Sequence, residues 1–223
     1  LKLALDTTLN SGSIALADEE RVLYSAFFDI RITHSETLMP AIDHALKFCG
    51  YQPADIHGLY VCVGPGSFTG LRIGLATAKG IAYGLGIPLF AFSSLELAAL
   101  SATGLGKPIL SVIDAKMKEV YFALYDPQLK PIIPPQVGSP QMLATLPGED
   151  MILCGSGAGL AEAELVKANR QYHRLHDIIP SAAAMFDIAR LLPEKCVPCD
   201  LAALEPLYLR ESTAQIKQQQ TSH

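Results

Sequence analysis

The sequence predicts an α/β fold built twice. Three observations carry that expectation: apolar strands alternating with capped amphipathic helices in the first half, a strand–Asp–turn–strand unit that recurs 108 residues later, and a composition that is 50% hydrophobic and 17% charged over 223 residues. A chain of that length and apolar content buries a real core rather than staying disordered.

Lys2–Asp6 and Ser13–Ala17 read as short apolar strands joined by a polar turn with Asn10 and Gly12, a hairpin signature. A third strand is expected near Arg21–Asp29, through the turn Asp18–Glu20. Thr33-His34-Ser35-Glu36 is a capping box, in which Thr33 accepts from the Glu36 N–H and Glu36 reaches back. The helix behind it carries Leu38, Ile42, Ala45, Leu46 and Cys49 at helical spacing and stops at Gly50. His57–Val63 is a continuous apolar strand, expected to be buried on both faces. It runs into Gly64-Pro65-Gly66-Ser67-Phe68-Thr69-Gly70 and then a helix from Leu71 to Tyr83. Pro88–Ala91 is another short strand, and Ser93-Ser94-Leu95-Glu96 opens another capped helix.

Around Ser101–Gly106 the sequence turns small and glycine-rich, which sets the expected boundary between subdomains 1–104 and 105–210, ahead of a polar tail, 211–223. LALDTTLNSGSIALAD (3–18) aligns with SVIDAKMKEVYFALYD (111–126) without a gap, placing Asp6 on Asp114, Ala15 on Ala123, Leu16 on Leu124 and Asp18 on Asp126. A second echo sets Cys62-Val63-Gly64-Pro65-Gly66 against Cys154-Gly155-Ser156-Gly157 with a one-residue shift, and the matching order indicates duplication. Pro127, Pro131, Pro134, Pro135, Pro140 and Pro147 break Asp126–Gly148 into loops and short extended pieces. Helices are expected over Gly159–Ala168 and Ser181–Leu192.

The net charge of −5 and the absence of a basic stripe argue against a protein that grips nucleic acid alone. No apolar run approaches the roughly 18–20 residues that span a bilayer. The leading LKLALDTT reads as a strand rather than an export signal, and the five cysteines fit a reducing, cytoplasmic setting. Cys196 and Cys199 form C-x-x-C, and His173 and His176 form H-x-x-H; without the knuckle or hairpin around them they are read as structural, and no metal is expected.

Asp6 at a strand end, followed by Thr7, Thr8 and a hairpin with Gly12, matches the aspartate that orients magnesium or its water in one large class of ATPases. It equally fits the cap of a tight turn. The second hairpin has Lys116, Met117, Lys118, Glu119 and Val120 where the first has Thr8, Leu9, Asn10, Ser11 and Gly12. With no glycine, side chains fill the space where phosphate would approach the backbone. GPGSFTG sits between strand and helix, with Ser67 or Thr69 as cap, but is neither G-x-G-x-x-G nor a P-loop. The next helix contains Gly74, Gly80 and Gly84, each costing about 1 kcal/mol against alanine. Close approach by the Leu38–Cys49 helix or by a partner chain would offset that cost.

GPGSFTGLRIGLATAKGIA (64–82), together with LALDTT (3–8), HSETLMP (34–40), Asp114-Ala115-Lys116, Glu119-Val120-Tyr121 and Pro206-Leu207-Tyr208-Leu209-Arg210, resembles the TsaB (YeaZ) family of tRNA threonylcarbamoyladenosine biosynthesis proteins over about residues 1–210. The resemblance implies the actin-like/sugar-kinase/Hsp70 ATPase (ASKHA) fold in two small α/β halves, and a non-catalytic paralogue of TsaD without cofactor or metal. TsaD holds its metal through H-x-x-x-H, whereas Leu38 stands four residues after His34 here. The resemblance further implies a heterodimer with TsaD, a homodimer when alone, the ATPase TsaE as third member, and only indirect contact with tRNA. Its interface helices match Ser35–Cys49 and Leu71–Tyr83. The candidates are Leu38, Met39, Ile42 and Leu46 on the first helix, with Leu71, Gly74, Leu75, Ala78, Gly80, Ala82 and Tyr83 on the second. Asp6, Thr7, Thr8, Gly64, Gly66, Ser67 and Asp114 become a vestigial nucleotide site. The alternative is an ATPase or small-molecule kinase of the same fold, using Asp6 and the GPGSFTG loop.

Overall fold

The chain, as a computed structural model, is described over residues 1–9, 11–28, 34–176 and 180–210. Alternating apolar segments and tight turns build one sheet from β1 (Lys2–Asp6), β2 (Gly12–Ala17), β3 (Val22–Phe28), β4 (Gly58–Gly64) and β5 (Leu89–Ser93), in the order β3-β2-β1-β4-β5. A second sheet contains β6 (Ile109–Lys116), β7 (Glu119–Tyr125), β8 (Pro131–Gly138), β9 (Met151–Cys154) and β10 (Tyr172–Arg174), in the order β10-β9-β6-β7-β8. Read from its other end, this is the order of the first sheet. In both, the first three strands pair antiparallel and the last two are added in parallel. The expected duplicated ASKHA-type α/β architecture is the one observed.

Helix α1 (His34–Cys49) and helix α2 (Phe68–Leu85) cover the outer face of the first sheet, where Leu38, Ile42, Leu46, Leu75, Ala78 and Ala82 meet Leu3, Leu5, Ile14 and Val61. The expected cap Thr33 lies outside the described residues, whereas Gly50 ends α1 at φ +76°. α2 starts at Phe68, three residues before the expected Leu71, because Ser67 caps it by accepting from the Gly70 N–H at 3.3 Å. Helix α3 (Ser94–Ala99) has the predicted capping box, with Ser93 and Glu96 as its members. Helix α4 (Ala158–Lys167) covers the outer face of the second sheet, and helix α5 (Ala184–Leu191) starts later than its predicted Ser181. α3 and α5 contribute Leu95, Leu97, Met185 and Phe186 to a core shared by Ala4, Ala15 and Tyr60 of one sheet and Ile109, Ala123 and Tyr125 of the other.

The halves therefore share one interior rather than folding side by side. The chain also returns: the Cys199 N–H donates to the Leu89 carbonyl at 2.8 Å, Leu201 and Leu204 pack under the first half, and the Leu207 N–H donates to the Val63 carbonyl at 2.8 Å. The proposed boundary at 104/105 falls in the turn before β6, and the returning segment touches the first half through Cys199, Leu201, Leu204 and Leu207 and the second hairpin through Arg210.

The repeat needs a correction. Leu16 pairs with Leu3 and Leu124 pairs with Leu110, so β2 maps onto β7 by 108 residues while β1 maps onto β6 by 107. A one-residue slip exchanges the faces of a strand. The sheet position of Asp6 is therefore held by Ile113, a member of the shared core, and Asp114 lies one step beyond it. The proline-rich stretch likewise forms a full strand where loops and short pieces were expected. β8 carries Pro131, Pro134 and Pro135, and as an edge strand it can spare their N–H groups. β10 was not expected at all.

The α2 glycines separate on what a side chain would meet. A Cβ at Gly74 would overlap Thr7 Oγ1, which donates to the Gly70 carbonyl at 2.7 Å, whereas one at Gly80 would have nothing within 4 Å. Gly80→Ala should raise unfolding free energy by about 0.5–1 kcal/mol in urea titration. Gly74→Ala should lower it by about 1–3 kcal/mol, because Thr7 must leave its hydrogen bond.

Candidate functional site

A cleft of about 450 Å³ opens where the two leading hairpins face each other. One wall is Thr8, Leu9, Ser11, Gly66 and Ser67; the other is Ile113, Asp114, Ala115, Lys116, Tyr121 and Ser156. Among the residues expected to form a nucleotide site, Thr8, Gly66, Ser67 and Asp114 come together on these walls. Asp6, Thr7 and Gly64 do not line the cleft, and all three are buried.

The first wall is tied by backbone contacts. Asp6 Oδ1 accepts from the Thr8 N–H at 2.9 Å and the Thr8 hydroxyl at 2.8 Å, the short-range turn that an aspartate at a strand end makes. The Ser67 N–H donates to the Thr8 carbonyl at 2.6 Å, and a Cβ at Gly66 would overlap that same carbonyl oxygen. Gly66 is thus required by the approach of the GPGSFTG turn to the first hairpin. Gly64, at φ +109°, turns the chain out of β4 beneath the Leu207 carbonyl.

The second wall is closed differently. β6 and β7 keep pairing to Lys116 and Glu119, leaving Met117 and Lys118 as a two-residue turn. Lys116, Met117 and Lys118 have φ of 63°, 53° and 66°. Positive φ at both central residues is the requirement of a type I′ hairpin, normally met by Asn-Gly. Without glycine it costs about 1–2 kcal/mol per residue. Lys116 donates its backbone N–H to Asp114 Oδ1 and its ammonium to Oδ2, both at 2.8 Å. The Lys116 ammonium hydrogen bond, with the backbone bond behind it, holds the Asp114 carboxyl below its ordinary value of 3.8. The aspartate on this wall thus has both carboxylate oxygens engaged by Lys116 of its own hairpin.

The interface candidates divide sharply. Leu38, Ile42, Leu46, Leu71, Gly74, Leu75, Ala78 and Ala82 are buried in this chain's own interior. Helical periodicity found the stripe that faces the sheet, and a buried stripe presents nothing to another molecule. Met39, Gly80 and Tyr83 are exposed, Tyr83 at 84%, and on the same two outer faces lie Phe48, Arg72, Ala76 and Gly84, which were not among the candidates. At the start of α2, the Arg72 guanidinium stacks 3.7 Å over the Phe68 ring, and Arg72 Nε donates to the Tyr208 hydroxyl at 3.0 Å. The only sequence signal for this cluster was the presence of Arg72 and Tyr208 inside the GPGSFTGLRIG and PLYLR stretches.

His173, considered above for zinc, pairs instead with Asp150 at 2.8 Å, and Lys107 joins them 2.6 Å from His173 Nε2. Cys62 and Cys154 are buried, and burial pushes both thiols up, that of Cys154 to about 12. Among the described residues no helix is long and apolar enough to cross a membrane.

The Asp114–Lys116 pair has a pH signature. Its carboxyl is depressed in the folded state, so the pair stabilises the fold above the ordinary carboxylate value and fades as pH falls through the folded value. In an NMR titration, Lys116→Ala should move the Asp114 midpoint upward towards 3.8. The wild type should lose more stability than the variant as pH falls below 3.8, by under about 1 kcal/mol for so exposed a lysine.

The family model for TsaD, tRNA N6-adenosine threonylcarbamoyltransferase, matches residues 30–218. The tRNA threonylcarbamoyladenosine biosynthesis protein TsaB of Haemophilus influenzae is 30% identical over 93% of this chain and 92% of its own length. Its counterpart in Escherichia coli is 30% identical over 95% of each, and that of Bacillus subtilis is 36% identical over 60% of each. The structure of YeaZ from Pseudomonas aeruginosa, 27% identical, superposes with a TM-score of 0.82 over 93% of this chain and 99% of that one. With a TsaD-type domain across most of its length, and TsaB proteins aligned along nearly all of it, the chain belongs to the TsaB (YeaZ) family.

Proposed function

We propose that this chain is a non-catalytic scaffold in tRNA threonylcarbamoyladenosine biosynthesis, pairing with TsaD and supporting its transfer of threonylcarbamoyl to the adenosine beside the anticodon. TsaE joins the pair as the ATPase, and the chain pairs with itself when TsaD is absent. The observation that carries this reading is the second hairpin. Its ladder is zipped to the tip, Ile113 stands at the sheet position of Asp6, and Lys116 holds Asp114. A phosphate clamp needs an open turn with exposed backbone N–H groups on both sides of the cleft, and the second hairpin instead pairs as far as Lys116 and Glu119. The outer face of α2 supports the partner role. Gly80 and Gly84 weaken the helix with no neighbour of their own within 4 Å, beside the exposed Tyr83.

One observation favours an ATPase or small-molecule kinase: the cleft is open, and Thr8, Ser11, Ser67 and Ser156 set hydroxyl-bearing residues on its walls. Calorimetry with Mg-ATP on the isolated chain separates the two. The scaffold reading expects no submicromolar binding; such binding, lost in Asp6→Ala, would transfer the assignment to the enzyme.

Depleting the protein in its host should collapse threonylcarbamoyladenosine in bulk tRNA, read by nucleoside mass spectrometry, and an unchanged level would sink the proposal. Gly80→Leu, which places a bulky side chain on an open surface, should fold normally yet weaken TsaD binding at least tenfold. Restored modification in cells carrying Gly80→Leu at wild-type affinity would exclude α2 as the interface.

A further inference from the structure

The outer face of α2 is framed unevenly. From Arg72 to Tyr83 the helix rises about 16 Å at 1.5 Å per residue. Between these two exposed side chains the floor is Ala76 and Gly80, with open space above Gly80. A helix is 10–12 Å across, so the saddle admits one helix crossing it closely. Its far rim, Tyr83, is an aromatic at 84% exposure, but its near rim is built. The Arg72 guanidinium lies on Phe68, its Nε is committed to the Tyr208 hydroxyl, and the Phe68 and Tyr208 rings are 5.1 Å apart. Tyr208 is fixed in turn by the returning strand of chain, through the Leu207 N–H on the Val63 carbonyl.

Among the described residues Arg72 has no carboxylate partner; its two terminal nitrogens carry no hydrogen bond. α2 contains Arg72 and Lys79 and no acidic residue, on a chain whose net charge is −5. A guanidinium held flat by stacking, with its terminal fork free, matches the two oxygens of a carboxylate.

We propose that Arg72, clamped by Phe68 and Tyr208, is the charged anchor of the partner interface and receives an Asp or Glu carboxylate from the partner helix that lies in the α2 saddle. This rests on the scaffold reading and adds to it the chemistry of the contact. The apolar floor and Tyr83 favour a protein over an RNA phosphate as occupant, because a nucleic-acid backbone has no use for an apolar saddle. Arginine and tyrosine are also among the residue types that dominate protein–protein binding energy.

The test is calorimetric titration of purified TsaD into the full chain carrying Arg72→Ala, Arg72→Lys, Arg72→Glu or Tyr208→Phe, with Lys130→Ala, exposed before β8, as control. The expected result is at least a tenfold loss for Arg72→Ala, partial recovery in Arg72→Lys, and no binding for Arg72→Glu. Tyr208→Phe keeps the ring and loses the acceptor, so a two- to fivefold loss is expected. Reversing one acidic residue of TsaD to arginine should restore binding to Arg72→Glu. Affinity within twofold of wild type for Arg72→Ala overturns the proposal. So does unchanged TsaD affinity with reduced tRNA retention by the complex, which would assign Arg72 to a phosphate. If the wild-type chain itself does not bind TsaD, the scaffold reading falls first and takes this one with it.

Discussion

The structure depends on how closely the GPGSFTG turn approaches the first hairpin. The Ser67 N–H reaches the Thr8 carbonyl at 2.6 Å, and Thr7 Oγ1 reaches the Gly70 carbonyl at 2.7 Å. Neither contact leaves room for a Cβ at Gly66 or Gly74. These two glycines therefore let α2 begin directly on the hairpin, with Thr7 and Thr8 buried in the joint. That joint sets the direction of α2, and with it which residues face the sheet and which face outward. It also brings Phe68 and Arg72 beside the returning segment that carries Tyr208.

The second half repeats the joint with the same means and a different result. A Cβ at Gly155 would overlap the Val112 carbonyl, and one at Gly157 would come within 2.9 Å of the Asp114 and Ile113 backbones. Here too glycines let a helix start against a hairpin. The contact falls on the strand itself rather than past its end, because β9 stops opposite Ser111. The hairpin above it, freed from that joint, pairs on to its tip and takes a left-handed turn through Lys116, Met117 and Lys118. Arg210 braces this turn from the returning segment, pairing with Glu119 at 3.2 Å and donating to the Ala115 carbonyl at 3.3 Å. One architectural duplication thus sets two hairpins with different surroundings facing each other across the cleft.

Much of this was legible in the residues. Strand–turn–strand alternation, the Ser93–Glu96 box and the Gly50 stop located most elements, because each is a local rule with a local cause. The fate of Asp6 and Asp114 was not legible. Aligned letter for letter they are equivalent, but equivalence in a sheet is decided by register, and cross-strand pairing moved β6 by one residue against β1. Most of the interface candidates face inward for a related reason. A 3.6-residue period reports that a helix has an apolar stripe, and this helix pair spends that stripe on its own sheet. β8 was obscured because proline reads as a breaker unless the strand is already known to lie at an edge.

Helix α2 shows why the outward face carries information that the inward face does not. Its inward small residues, Gly74 and Ala78, are explained within the chain by Thr7 and by the buried sheet. Gly80 and Gly84 are not, since alanine would fit at either place and would strengthen the helix by about 1 kcal/mol each. An interior glycine kept at that cost, on a surface open to solvent, points to a requirement outside the monomer. A stacked arginine without an acid, on the same face and only two turns away from Gly80, points in the same direction. Flat backbone and a fixed cation are complementary demands. The first invites close approach by another helix, and the second selects which helices can remain, since a partner without a carboxylate in reach would bury the Arg72 charge unpaired.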